Sequence, residues 1–163
     1  MRSRGKSLRG TAFQLLAVRD RSCHEMENSL LKRGFSQDDV RAFLVELKDR
    51  GYLDDRRLAE RMAQQGVTGG KTGPVRMRYE LVERGIPPHL AQAAVQKAWQ
   101  DVDEQETAQD LAAKKVDSSM KSEDEMVRAK GRVGRYLLRR GFTTATVHRV
   151  IDKIFQDEET DGY

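Results

Sequence analysis

The stretch Val82-Glu83-Arg84-Gly85-Ile86 decides the fold, because its pattern occurs three times in the chain. Each copy has an apolar residue, two charged residues of which the second is arginine, a glycine and another apolar residue, and the other copies are Leu31-Lys32-Arg33-Gly34-Phe35 and Leu138-Arg139-Arg140-Gly141-Phe142. Glycine often ends a helix because it adopts the left-handed backbone easily, and a base is favourable beside the negative helix end. The pattern therefore predicts three equivalent helix ends.

Apolar residues follow the three glycines at matching distances. The sixth, tenth and thirteenth residues after each glycine are Val40, Leu44, Leu47; Ala91, Val95, Ala98; and Val147, Ile151, Ile154. This spacing places three side chains on one face of a helix. Because a shared helix end combined with a shared core face indicates a repeat, we predict an all-α protein of three tandem three-helix repeats in an elongated, curved array.

The predicted organisation has five segments. A basic N-terminal tail covers 1–10, the three repeats cover 11–50, 51–102 and 103–156, and an acidic C-terminal tail covers 157–163. Each repeat is small, so it is expected to depend on its neighbour for stability.

Local signals place helix boundaries within this plan. Ser22 and Glu25 have the spacing of a capping box at the start of a helix. In the middle repeat we predict a loop from Gly66 to Gly73 and a helix that begins at Pro74. Four apolar or aromatic side chains of this helix are predicted to face the core: Val75, Tyr79, Leu81 and Val82.

The composition excludes several classes of protein. Hydrophobic residues make up 37% of 163 residues and aromatic residues 6%, which disfavours a β-rich fold and a large enzyme body with a deep pocket. A single cysteine forms no internal disulfide, and the histidines lack metal-ligand spacing, so we expect no metal and no cofactor. No apolar run is long enough to span a bilayer, so the expected location is the cytoplasm.

The central repeat contains two motifs that resemble active sites. Asp54 and Asp55 form a carboxylate pair, but adjacent helical positions point about 100° apart and helix capping explains both residues better. The segment Gly66–Thr72 resembles a phosphate-binding loop with one residue too few, and no predicted strand precedes it. We expect no catalytic residues, and Trp99 is expected to pack in the core rather than stack on a base.

The chain resembles the RecX family of bacterial recombination regulators over nearly its whole length. The residues that carry the resemblance are Leu16-Ala17-Val18-Arg19-Asp20-Arg21-Ser22 with Glu25, Gly51-Tyr52-Leu53-Asp54-Asp55, Gly73-Pro74 with Arg76 and Glu80-Leu81, and Tyr136-Leu137-Leu138-Arg139-Arg140-Gly141-Phe142. The resemblance implies three-helix repeats, binding along the groove of the RecA recombinase filament on DNA, and restraint of ATP-driven strand exchange during DNA repair and the SOS response. Gly131 and Gly134 depart from a strong helix-forming pattern.

A row of arginines is the candidate binding surface. Between Met126 and Gly141 there are six bases and no acid, and steps of four, three and four residues align Arg128, Arg132, Arg135 and Arg139. Four apolar residues are predicted on the opposite side, namely Val127, Val133, Leu137 and Leu138. Guanidinium groups suit phosphates or carboxylates held at fixed distances. The alternative is an ordinary solvated helix face.

The middle repeat adds Lys71, Arg76 and Arg78 to this candidate surface. The predicted function is a non-enzymatic, monomeric regulator that binds the RecA-DNA filament through these residues and inhibits RecA. The alternative is a helical DNA-binding module in which the helices after Gly34, Gly85 and Gly141 read the bases. These helices have few outward residues suited to base readout beyond Arg41, Gln92 and Gln96, so weak and non-specific DNA contact is the stronger expectation.

Overall fold

The computed structural model of the chain describes residues 7–116 and 122–160, with side chains to residue 156, and these residues form nine helices and no strand. The helices are α1 Leu8–Val18, α2 Cys23–Leu31, α3 Gln37–Asp49, α4 Asp55–Gly69, α5 Pro74–Glu83, α6 Pro88–Ala98, α7 Glu104–Ala113, α8 Glu123–Arg140 and α9 Thr144–Thr160. The all-α prediction is confirmed. None of these helices is long and apolar enough to cross a membrane.

Side-chain caps start several helices where the sequence predicts them. Ser22 accepts a hydrogen bond from the Glu25 amide at 3.0 Å, and the Glu25 carboxylate accepts one from the Ser22 amide at 3.0 Å. This confirms the capping box. Ser36 and Asp103 cap α3 and α7 in a similar way.

The repeated glycines end helices in the left-handed conformation. Their φ angles are 86° at Gly34, 77° at Gly85 and 83° at Gly141. Each following apolar residue then donates its amide back into the last turn, as Phe35 does to the Leu30 carbonyl. The three equivalent helix ends are therefore confirmed.

The chain divides into two compact units. The first contains the residues up to Met62 together with Glu80–Ala94, and a core cluster of this unit lies among α1, α2 and α3. Met26, Leu30 and Val40 are fully buried there.

The second unit contains Ala63–Tyr79 and the residues from Val95 onward. Its core lies among α7, α8 and α9, where Val133, Leu137 and Phe142 are buried. Trp99 packs on this core: its ring meets that of Phe142 edge-on, with centroids 6.4 Å apart, and its Nε1 donates to the Met77 sulfur at 3.3 Å. The prediction that Trp99 packs in the core is confirmed.

The predicted core positions after the glycines are confirmed in large part. Seven of the nine are buried, and Ile151 and Ile154 are half-buried against the core of the second unit.

Two predictions about helix faces are wrong. In α5, Val75 and Tyr79 are 45% and 63% exposed and Val82 is also exposed, whereas Met77 and Leu81 are buried. In α8, Val127 and Leu138 are exposed, although Val133 and Leu137 are buried as predicted. In α5 the buried stripe runs through Met77 and Leu81 and so lies on a different face from the predicted one, whereas in α8 the buried stripe is narrower than predicted.

The predicted loop from Gly66 to Gly73 is also wrong at its start, because α4 continues to Gly69. A Cβ on Gly66 would lie 2.7 Å from the Met77 methyl group, so this glycine serves close packing rather than a turn. The chain turns later, at Gly70, where φ is 58°.

The helices extend beyond two of the predicted segment boundaries. Helix α1 begins at Leu8, inside the predicted tail 1–10, and α9 continues to Thr160, inside the predicted tail 157–163. Residues 1–6, 117–121 and 161–163 lie outside the described part of the chain.

Candidate functional site

The arginine row of α8 faces solvent, as predicted. Arg128, Arg132, Arg135 and Arg139 are all exposed, while Val133 and Leu137 on the opposite side are buried. The first and last arginine lie eleven positions apart, so the row is about 16 Å long at the helical rise. Among the residues that the structure describes, no carboxylate forms an ion pair with these four side chains. The row is therefore available to an external anion.

Two glycines fit α8 closely against its surroundings without interrupting it. A Cβ on Gly134 would lie 3.1 Å from the Ile151 side chain, so this glycine permits close approach of α9. A Cβ on Gly131 would lie 3.2 Å from a guanidinium nitrogen of Arg135. The helix runs unbroken from Glu123 to Arg140, and the row keeps its register.

Helix α5 begins where α8 ends. The Gly73 amide donates to the Arg140 carbonyl at 2.7 Å, and the Val75 amide donates to the Gly141 carbonyl at 3.0 Å. These bonds join the unpaired donors of one helix start to the unpaired acceptors of another helix end, and they bring the positive and negative ends of two helix dipoles together.

This junction brings Arg76 to the end of the arginine row. Its guanidinium donates to the Arg139 carbonyl at 3.2 Å. Arg76 and Arg78 are exposed and each has interactions within the folded chain, and Lys71 is exposed in the turn between α4 and α5. The structure thus joins Arg76 to α8 directly and places Lys71 and Arg78 in the same unit.

Sequence reasoning missed a group of side chains around Tyr136. The Lys115 ammonium lies 5.4 Å and the Arg140 guanidinium 5.3 Å from the centroid of its ring, distances at which cations are attracted to an aromatic face. The four-residue step from Tyr136 to Arg140 could have revealed the second contact. Lys115 follows a different helix, so no local pattern reveals it.

Sequence reasoning also missed an ionic network in the first unit. The Glu25 carboxylate accepts hydrogen bonds from Arg84 at 2.9 and 3.0 Å and from Arg19 at 3.0 Å. Arg84 donates further to the Asp20 carbonyl at 2.9 Å, and its own carbonyl accepts a hydrogen bond from Ser22. Arg84 is thus both part of the repeated helix end and the centre of this network.

The network determines the ionisation of Glu25. Burial alone would raise its pKa, but hydrogen bonds from Arg84, Arg19 and the Ser22 amide outweigh burial and lower the pKa to about 2. The carboxylate is therefore charged across the physiological range, and its chemistry is that of a structural anion rather than a proton donor.

The two aspartates act as helix caps, which confirms the capping prediction. Asp54 accepts a hydrogen bond from the Arg57 amide at 2.9 Å. Asp55 accepts one from the amide of Cys23 at 2.8 Å, and so caps the start of α2 rather than its own helix. Burial and the negative charge of Asp55 raise the pKa of the Cys23 thiol to about 11.

Comparisons with known proteins agree with this architecture. Three family profiles, described as the first, second and third three-helix domains of RecX, match residues 9–47, 54–95 and 101–151. The regulatory protein RecX of Chromohalobacter salexigens is 34% identical over 134 residues, which is 82% of this chain and 84% of that protein. The one from Trichlorobacter lovleyi is 29% identical over 145 residues, 87% of this chain and 92% of that protein.

A solved structure shows the same fold. The crystal structure of RecX from Lactobacillus salivarius matches with a TM-score of 0.76 at 20% identity, and the match covers 91% of this chain and 95% of that one.

Proposed function

The chain belongs to the RecX family of regulatory proteins, and on this premise we propose that it is a non-enzymatic cytoplasmic regulator that binds the RecA-DNA filament and inhibits RecA. In this proposal the chain lies in the filament groove, bridges neighbouring RecA protomers and blocks the cycle of ATP hydrolysis and strand exchange. RecA is proposed as the partner because of the family membership, and the basic surface of the second unit is proposed as the surface that contacts it.

The observation that supports this contact surface is the exposed arginine row of α8, which Arg76 extends at its C-terminal end. Four guanidinium groups on successive turns of one helix can follow a line of phosphates or carboxylates, and each forms charge-assisted hydrogen bonds in a fixed fork. The row needs no rearrangement to bind, because its register is held by a helix packed on the core of the unit. Lys71 and Arg78 add positive charge that attracts a polyanionic filament.

The test is the ATPase activity of RecA on single-stranded DNA in the presence of an Arg132→Glu, Arg135→Glu double variant. We expect the variant to lose inhibition, because it replaces the central pair of the row with groups of opposite charge. Its helicity, measured by circular dichroism, should equal that of the wild type, because both side chains are exposed.

A matched control makes the same two arginine-to-glutamate changes outside the arginine row. Arg41 and Arg56 are exposed arginines of the first unit, and a double change of both to Glu should leave inhibition intact. Undiminished inhibition by the α8 variant would refute the assignment of the row. Tight binding of the wild type to bare DNA without RecA, lost in the α8 variant, would instead favour direct action on DNA.

A further inference from the structure

The second unit contains a cleft that the arginine row alone does not explain. It has a volume of about 400 Å³ and lies between the end of α7 and the second half of α8. Six residues line it: Lys115, Arg132, Val133, Arg135, Tyr136 and Arg139. Val133 is buried and Tyr136 half-buried, whereas the four basic side chains are exposed, so the cleft has an apolar floor and a cationic rim.

The rim concentrates positive charge with no compensating acid among its described lining residues. Four like charges so close together repel one another, and an anion bound among them would relieve that repulsion. Tyr136 helps to hold one of these cations in place, because its ring attracts Lys115, which lies in the turn after α7. The cleft is thus organised before a ligand arrives.

From this geometry we propose that the cleft binds a linear polyphosphate group of the kind carried by nucleoside triphosphates. Arginine forks match phosphate oxygens in pairs, and four cations in one cleft match the concentrated charge of adjacent phosphates. A cleft of about 400 Å³ is also within the size range of small-molecule sites, which starts near 300 Å³. A single orthophosphate would leave much of it unfilled.

The lining residues distinguish this ligand from a nucleic-acid backbone. A backbone carries one charge per phosphodiester and would engage the whole arginine row from end to end. The cleft omits Arg128, the first arginine of the row, and includes Lys115, which lies outside the row. A compact anion fits this set better than an extended one.

The experiment is isothermal titration of the full chain with sodium tripolyphosphate at about 0.15 M salt, where charges more than about 8 Å apart are largely screened. Lys115→Gln should weaken binding about five- to tenfold, the loss expected for one charged contact. Lys114→Gln is the matched control, because Lys114 is the exposed neighbour in sequence and does not line the cleft. It should change the affinity less than twofold. Equal effects of the two changes, or no binding by the wild type at millimolar ligand, would overturn the proposal.

Three competing anions test the chemical class. ATP should displace tripolyphosphate, whereas orthophosphate and a short polyglutamate should not. Displacement by polyglutamate at equal charge would show a site for acidic peptides, and equal affinity for orthophosphate would show a site for a single anion; either result refutes the proposal. Titration with a short oligodeoxythymidylate completes the set, and preferential, Lys115-dependent binding of this strand would likewise refute it.

This binding does not depend on the proposed action on RecA, and two variants separate them. Arg128→Glu should weaken inhibition of RecA while leaving tripolyphosphate affinity within twofold. Lys115→Gln should do the reverse. If Arg128→Glu leaves inhibition unchanged, the proposed function has failed. If Lys115→Gln leaves the tripolyphosphate affinity unchanged, the proposal for the cleft has failed.

Discussion

Replacing Glu25 by glutamine tests whether the ionic network stabilises the first unit. The Glu25 side chain is 17% exposed and accepts hydrogen bonds from Arg84, Arg19 and the Ser22 amide. Glutamine keeps the shape but loses the charge, and it presents an amide group to two guanidinium groups. Arg84, whose side chain is 25% exposed, then lacks its ionic partner.

The pKa of Glu25 sets the size of the effect. It falls from an ordinary value of 4.5 to about 2, and each pKa unit corresponds to about 1.4 kcal/mol, so the full shift is worth on the order of 3 kcal/mol. Arg19 is 46% exposed and solvent screens its share. We therefore expect the free energy of unfolding to fall by about 2 kcal/mol near pH 7.

The effect should depend on pH in a defined direction. Because the pKa is lower in the folded chain than in the unfolded one, the network stabilises fully above pH 4.5 and loses its contribution as the pH falls toward about 2. Urea unfolding followed by circular dichroism near neutral pH and at about pH 3 measures this. The difference between wild type and variant should be smaller at the lower pH.

Glu27→Gln is the matched control, because Glu27 lies on the same helix and forms no hydrogen bond or ion pair in the described part of the chain. It should change stability by less than about 0.5 kcal/mol. If Glu25→Gln costs no more than Glu27→Gln near neutral pH, or if its cost is the same at both pH values, the network does not have the role assigned to it.

Two further predictions concern the helix ends and the cysteine. Gly141→Ala should lower the free energy of unfolding by about 3 kcal/mol or more, because a Cβ there would lie 2.2 Å from the Cβ of Arg76 and the left-handed backbone adds strain. Gly34→Ala, where φ is 86° but the space around the Cβ is open, should lower it by only about 1 kcal/mol in thermal unfolding, and equal losses would contradict the packing argument. Cys23 should react with iodoacetamide far more slowly in the folded chain than in urea. Burial and Asp55 raise its pKa from 9.0 to about 11, which reduces the fraction of the reactive thiolate form about a hundredfold. Equal reaction rates would disprove the shift.

Local sequence rules predict much of this fold because they act within a few residues. The capping box of Ser22 and Glu25 and the left-handed glycines are satisfied by neighbours in the chain, so their patterns are visible without a structure. Helix faces are less predictable where apolar residues exceed the space in the core. That is why Tyr79 is exposed while Met77 on the same helix is buried.

Only the part of the candidate site that lies on a single helix can be predicted from the sequence. The spacing of Arg128 to Arg139 places these side chains on one face whatever the tertiary structure. The contact of Arg76 with the Arg139 carbonyl joins residues 63 positions apart, and Lys115 reaches Tyr136 from the turn after α7. Such contacts depend on how helices pack, and no short-range pattern contains that information.

The main-chain junction between Gly73 and Arg140 has a consequence for synthesis on the ribosome. The amide of Gly73 is made 67 residues before the carbonyl of Arg140 that accepts its hydrogen bond. At roughly 5 to 20 residues per second, translation separates the two partners by about 3 to 13 seconds. During that interval the start of α5 has no acceptor from α8. The second unit can therefore complete its fold only after residue 140 has been made, and a slow codon or a pause before residue 141 would lengthen the exposure of its earliest segment.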